Sequence, residues 1–256
     1  MAAKKGRFDW YDLMTTDVGG ARSFYSDIIG WKTTKWPQGD YEMFTVGEQS
    51  IAGMMKLPEE ATKTGAIPHW MGHIETDDVD ATAKQAEQLG GRVYRRPEDI
   101  PTVGRFAILA DPQGAIFSVF KPLSPMNDAP REPGFFSWYE LNTTDYQAAS
   151  KFYTALFGWK QTGTFNMGPE MGDYWMFGLD AQKSMGGMSN VATQMKMPAH
   201  WLYYVTVKDL DAALARVQQK GGKVLNGPME VPGGDRIAQC LDPQGAAFAL
   251  HMGAKT

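Results

Sequence analysis

The chain has 256 residues, enough for two domains of ordinary size, and 43% hydrophobic with 21% charged residues is a globular composition that excludes collagen, coiled coil and wholesale disorder. Twenty-five Lys and Arg against 29 Asp and Glu give a formal charge of -4, so no cationic excess is available for nucleic acid or an anionic membrane. The single cysteine, Cys240, can form no internal disulfide, no run approaches the roughly 20 apolar residues that cross a bilayer, and the basic amino terminus leads into no apolar segment, so the expectation is a cytoplasmic protein without a secretory signal.

Phe8 to Met14 alternates in the manner of a strand, and Asp17 can then cap a helix whose Ala21, Phe24, Tyr25, Ile28 and Ile29 share one face. Gly30 stops that helix. Three strand-like runs follow, near Trp31 to Trp36, Tyr41 to Val46 and Ser50 to Leu57. The cycle restarts with a strand over Pro68 to Thr76, a helix from Asp77 or Asp78 carrying Val79, Ala83, Ala86 and Leu89, and a stop at Gly90-Gly91. Strands near Arg92 to Arg95, Arg105 to Ala110 and Ala115 to Phe120 complete it. Each cycle is a β-α-β-β-β unit. Short antiparallel strands after one helix form a curved sheet, and its hollow face suits a small molecule.

The pattern then repeats. Trp10-Tyr11-Asp12-Leu13-Met14-Thr15-Thr16-Asp17 returns 128 residues later as Trp138-Tyr139-Glu140-Leu141-Asn142-Thr143-Thr144-Asp145, and Phe24-Tyr25 and Gly30-Trp31 return as Phe152-Tyr153 and Gly158-Trp159. His69-Trp70 and Asp111-Pro112-Gln113-Gly114 return 131 residues later as His200-Trp201 and Asp242-Pro243-Gln244-Gly245. The reading is therefore α+β, with four β-α-β-β-β units in two domains, 1–122 and 134–256, joined by a linker over 123–133 where Pro, Ser, Asn and Asp gather.

Thr-Thr-Asp, Phe-Tyr and Gly-Trp in the first unit of each half, with Gly-Gly and Asp-Pro-Gln-Gly in the second, resemble the vicinal oxygen chelate superfamily of glyoxalase I, bleomycin-resistance proteins and extradiol dioxygenases. The resemblance implies two glyoxalase-like domains, each a mostly antiparallel sheet curved around a cleft, with Phe24, Tyr25, Phe152 and Tyr153 packing helices on the convex side. It also implies where a metal would bind: a His or Gln early in the first strand, a His at the start of the second unit, and a Glu on the strand that closes each unit. Alignment places Trp10 and Trp138, Met71 and Leu202, and Ser118 and Ala249 at those positions, and the remaining carboxylate's run, Ser50 to Leu57, contains no acid. Indole, thioether and aliphatic groups with a single neutral hydroxyl there are no set for a hard divalent cation.

A set shifted by two residues along the strands is the alternative, since such residues share a face. Asp12, His69 and His73 would gather in the first half and Glu140, His200 and His251 in the second, each two His and one carboxylate for one divalent metal per domain. Tyr204 takes the place of His73 in the second half, and Asn142 that of Met14, so one half could have become structural. Asp12 and Glu140, flanked by aromatics on partly buried strands, each need a partner, for which His69 and His200 or Arg105 and Arg236 are available. An acid meeting His69 or His200 could act as a general base.

Gly39-Asp40-Tyr41 and Gly172-Asp173-Tyr174 read as turns entering strands, and Gly53 and Gly187 as glycines at a bend or a close approach. Sixteen Met, eight Trp, ten Tyr and thirteen Phe exceed what a minimal core requires. The expectation is a tandem protein that binds a small apolar or aromatic molecule in clefts lined by Trp10, Met71, His73, Ser118, Trp138, Leu202, Tyr204, Ala249 and His251, without a cofactor, as a monomer or homodimer. The alternative is an enzyme of lyase, isomerase or dioxygenase type that uses Asp12, Glu140, His69 and His200.

Overall fold

The computed structural model describes residues 5–37, 39–63, 65–124, 130 and 132–254. The linker expected over 123–133 lies in part, at 125–129 and 131, outside the described residues. In chain order the first half comprises β1 (Phe8–Thr15), α1 (Val18–Ile29), β2 (Lys32–Lys35), β3 (Glu42–Val46), β4 (Gln49–Lys56), α2 (Glu59–Lys63), β5 (His69–Glu75), α3 (Val79–Gln88), β6 (Arg92–Ile100), β7 (Gly104–Ala110) and β8 (Ile116–Pro122). The second half repeats it as β9 (Phe136–Asn142), α4 (Tyr146–Phe157), β10 (Lys160–Asn166), β11 (Asp173–Gly178), β12 (Gly186–Ser189), α5 (Val191–Gln194), β13 (His200–Thr206), α6 (Leu210–Gln219), β14 (Lys223–Glu230), β15 (Arg236–Leu241) and β16 (Ala247–Met252).

The caps are those the sequence suggests. Asp17 accepts a hydrogen bond from the Gly20 amide at 2.9 Å to open α1, and Gly30 closes it in the left-handed region at φ 89°. Asp145 and Gly158 do the same for α4. The buried stripe of α1 is Ala21, Phe24, Tyr25 and Ile28. The strands form two eight-stranded mixed sheets, β2-β3-β4-β1-β5-β8-β7-β6 and β10-β11-β12-β9-β13-β16-β15-β14. β1 runs parallel to β4 and β5 to β8, whereas the hairpins that follow each helix are antiparallel. The strand expected at Arg92 to Arg95 continues to Ile100 because β6 shifts register between Val93 and Arg95 and again before Glu98, which keeps it paired with β7 past Pro97. Two short helices, α2 and α5, have no counterpart in the sequence reading.

Compact packing groups the chain differently from the repeat. One unit takes Met1–Asp9, Gly72–Asp128 and Trp138–Trp201, and the other takes Trp10–Met71, Ala129–Ser137 and Leu202–Thr256. Each thus combines the opening module of one half with the closing module of the other. In the first unit Phe8, Tyr139, Tyr153, Trp159 and Trp201 form an aromatic cluster, and Trp201 Nε1 donates to Tyr153 Oη, which donates to the buried Asp111 Oδ2, both at 3.1 Å. In the second, Tyr25, Trp31, Phe44, Trp70 and Phe136 cluster, Trp70 Nε1 donates to Tyr25 Oη at 2.8 Å, and Tyr25 donates to Asp242 Oδ2 at 3.1 Å. Tyr25 and Tyr153 are therefore core residues that also satisfy a polar group, because each hydroxyl caps the carboxylate of an Asp-Pro-Gln-Gly turn, which burial would otherwise leave short of donors. Cys240 is buried, and burial pushes its thiol up to about 12, so it stays protonated at neutral pH. Among the described residues no helix is long and apolar enough to cross a membrane.

Candidate functional site

Trp10, Asp12 and Met14 alternate onto one face of β1. Trp10 Nε1 donates to Tyr41 Oη at 2.8 Å and more weakly to Asp12 Oδ1 at 3.2 Å, and the Tyr41 hydroxyl donates to the same Asp12 oxygen at 2.5 Å. Burial, and then the charge of Asp12, raise the Tyr41 hydroxyl well above the ordinary phenol range, so it remains a donor. Asp12 stands opposite Gly53 on β4, and a Cβ on Gly53 would lie 1.7 Å from Tyr41 Oη and 2.7 Å from Asp12 Oδ1. The glycine is the space in which the tyrosine sits. On the same face Met14 stands opposite Met55, and Met43 opposite Gly53.

The second half rebuilds this arrangement with different residues. Trp138 Nε1 donates to Tyr174 Oη at 2.8 Å, and Tyr174 donates to Glu140 Oε2 at 3.1 Å. A Cβ on Gly187 would lie 1.9 Å from the Tyr174 ring. Here Asn142 replaces Met14, and its Nδ2 reaches both Glu140 Oε1 at 3.3 Å and His200 Nε2 at 3.4 Å. His200 Nδ1 lies 2.9 Å from the Pro198 carbonyl, which can only accept, so that nitrogen carries the proton and Nε2 presents a lone pair to Asn142. Burial lowers the His200 pKa and keeps the ring neutral. His69 is held in the same tautomer by the Ile67 carbonyl at 2.7 Å.

The other residues singled out in the sequence sit as follows. Met71 and Leu202 are buried on β5 and β13. His73 is buried opposite Ser118, with its ring edge-on to Phe120, and Ser118 donates to the Ala107 carbonyl at 3.1 Å. Close to His73 is Asp9, both of whose carboxyl oxygens are inaccessible to water and have no hydrogen-bond partner among the described residues. Burial raises its pKa to about 7, with Glu75 adding to the shift and His73 and Arg7 opposing it. Ser137, the counterpart of Asp9, lies 3.0 Å from His251 Nδ1, and His251 Nε2 lies 2.9 Å from Asp235. Tyr204 accepts from Gln239 at 3.1 Å and stands opposite the buried Ala249.

Two partnerships expected from the sequence take another form. Arg105 and Arg236 do not serve Asp12 and Glu140: they form ion pairs with Asp80 and Asp99, and with Asp211, at 2.7–2.9 Å on the exposed surface. A guanidinium paired there keeps its hydration, which a buried acid would strip away. Glu140 and His200 are joined through Asn142. Among the described residues no three His, Cys, Asp or Glu side chains gather as a metal ion needs. Sequence reasoning missed Tyr41, Tyr174 and Asp9 as site residues. The recurrence of Gly-Asp-Tyr in both halves was the available signal for the two tyrosines.

The profile described as the glyoxalase/bleomycin resistance protein/dioxygenase superfamily matches the chain twice, over residues 7–119 and 136–250. The chain is 31% identical over 252 residues to CFP32 of Mycobacterium tuberculosis, covering 96% of this chain and 95% of that protein. It is also 31% identical over 255 residues to the anthracycline biosynthesis protein DnrV of Streptomyces peucetius, covering 94% and 91%. Among solved structures, the Mn(II)-bound glyoxalase from Novosphingobium aromaticivorans superposes with a TM-score of 0.68 at 15% identity, covering 99% of this chain and 84% of that one, a likeness of fold. The repeated match across both halves shows that the chain belongs to the glyoxalase/bleomycin resistance protein/dioxygenase superfamily, as a tandem of two glyoxalase-like domains.

Proposed function

We propose that this protein binds a small planar aromatic molecule against the Trp-Tyr-carboxylate face, without a metal ion. One observation carries the reading: the indole N–H of Trp10 and of Trp138 is given to a tyrosine hydroxyl that is itself given to a carboxylate, so each half-buried ring is locked in place with its polar edge satisfied. What remains for a ligand is a fixed apolar ring face, flanked in the first half by Met14, Met43 and Met55. A wall fixed before binding loses little entropy when it is used, and thioethers adapt to ring outlines. The name of the relative DnrV, an anthracycline biosynthesis protein, supports a ligand with fused aromatic rings.

The positions where the superfamily resemblance implies metal ligands hold Trp10, Met71 and Ser118, and Trp138, Leu202 and Ala249, and the donor chemistry of those side chains does not fit a divalent cation. Titration of the chelator-treated protein with 2-hydroxyanthraquinone, followed by quenching of tryptophan fluorescence, tests the binding reading. The expected result is saturable micromolar binding that weakens at least tenfold in the folded Trp10→Ala/Trp138→Ala variant, about 1.4 kcal/mol or more. Equal affinity in that variant would place the ligand elsewhere and overturn the reading.

A further inference from the structure

Both halves hold a carboxylate, a tyrosine, a tryptophan and a histidine in this arrangement, and they differ at the position two residues after the carboxylate. In the second half Asn142 occupies the lone pair of His200 Nε2 at 3.4 Å. The residue at that place in the first half is Met14, whose thioether has no proton to give. His69 Nδ1 is committed to the Ile67 carbonyl, which leaves Nε2 as an acceptor without a partner among the described residues. Asn142 and His200 touch, and the repeat puts Met14 and His69 at equivalent places on neighbouring strands β1 and β5. A second asymmetry lies at Asp9 and Ser137: the second half's Ser137 meets His251, and the first half's Asp9 has no hydrogen-bond partner among the described residues.

We infer that the two halves are not equivalent ligand sites: the first takes a planar aromatic molecule bearing a hydroxyl group, which donates its hydrogen to His69 Nε2, and in the second half Asn142 fills the place of that hydroxyl. This rests on the aromatic-binding reading above and adds to it the recognised group and the half that recognises it. Asp12 Oδ1 is already supplied by Tyr41 and Trp10, whereas His69 Nε2 is an acceptor still open to a ligand's donor, and Met14 and Met55, paired across β1 and β4 in the same half, favour an aromatic carrier over a sugar or a free anion.

The exchange variants Met14→Asn and Asn142→Met each introduce a residue that the fold already holds at the equivalent place, and circular dichroism before titration checks that each is folded. Calorimetric titration would use two probes, 2-hydroxyanthraquinone and 2-methoxyanthraquinone, which differ in the donated hydrogen. The natural protein should bind the hydroxyl probe at one site per chain, about tenfold more tightly than the methoxy probe, as a single hydrogen bond allows. Met14→Asn and His69→Leu should each erase that preference, and Asn142→Met should raise the hydroxyl-selective sites from one to two. Selectivity that survives Met14→Asn, or that is lost in Asn142→Met, would overturn the assignment to the first half while leaving aromatic binding intact. Absence of binding by either probe in every variant would overturn both.

Discussion

Gly53→Ala is expected to destabilise the protein by about 3 kcal/mol in urea unfolding and to abolish probe binding. The glycine does not serve its backbone, since Gly53 and Gly187 are absent from the positions with positive φ. It serves Tyr41. An added Cβ would lie 1.7 Å from Tyr41 Oη and 2.0 Å from Cζ, closer than any packing tolerates, so the ring must leave. Its departure removes the 2.5 Å donor from the buried Asp12 and the acceptor from Trp10 Nε1. Overpacking costs about 1–3 kcal/mol and a buried carboxylate that loses a donor a similar amount, and the two effects add only in part. A double-mutant cycle isolates the cause: Tyr41→Ala relieves the clash, so Gly53→Ala should cost about 1 kcal/mol or less in that background, giving a coupling of about 2 kcal/mol or more. Strict additivity of the two substitutions would show that the glycine has some other role.

The second large effect is on pH dependence. Asp9 keeps its proton up to about pH 7 in the folded protein, whereas a carboxyl in the unfolded chain releases it near pH 3.9. Between those values the native state binds the extra proton, so Asp9 favours folding at acid pH and its contribution is lost as pH rises through the folded pKa. A separation of about three pH units at about 1.4 kcal/mol each gives an upper bound near 4 kcal/mol, of which at most about 3 kcal/mol falls above pH 5. Asp9→Ser installs the residue found in the second half. Relative to the natural protein, its stability should rise by about 2 kcal/mol between pH 5 and pH 8.5. Asp111, Asp242 and His200 also titrate abnormally, but they are common to both proteins and drop out of the difference. A difference that stays constant across that range would mean that Asp9 ionises normally.

The fold was legible because its signals are local. Asp17 and Gly30 bracket one helix and Asp145 and Gly158 its copy, and the chain repeats the unit closely enough for each half to check the other. The site was half legible. Trp10, Asp12, Trp138 and Glu140 stand out by alignment, but their partner tyrosines lie 29 and 34 residues from the carboxylates and meet them only through strand register, which also gives Gly53 and Gly187 their purpose. Asn142 touches His200 across 58 residues for the same reason. The arginines misled in the opposite sense: Arg105 and Arg236 share strands with the turns, yet Asp80 and Asp211 on α3 and α6 hold them at the surface. Asp9 carried no sequence signal, because its want of a partner is a property of burial alone.

Calorimetric titration of 2-hydroxyanthraquinone into protein stripped with EDTA, repeated after Mn(II) is restored, bears most directly on metal-free aromatic binding. This probe carries its hydroxyl away from the quinone oxygens and cannot chelate the ion through both. The same affinity and stoichiometry in the two titrations is the predicted result. Binding that develops only in the presence of Mn(II) would contradict the account and make this protein a metal-dependent member of its superfamily.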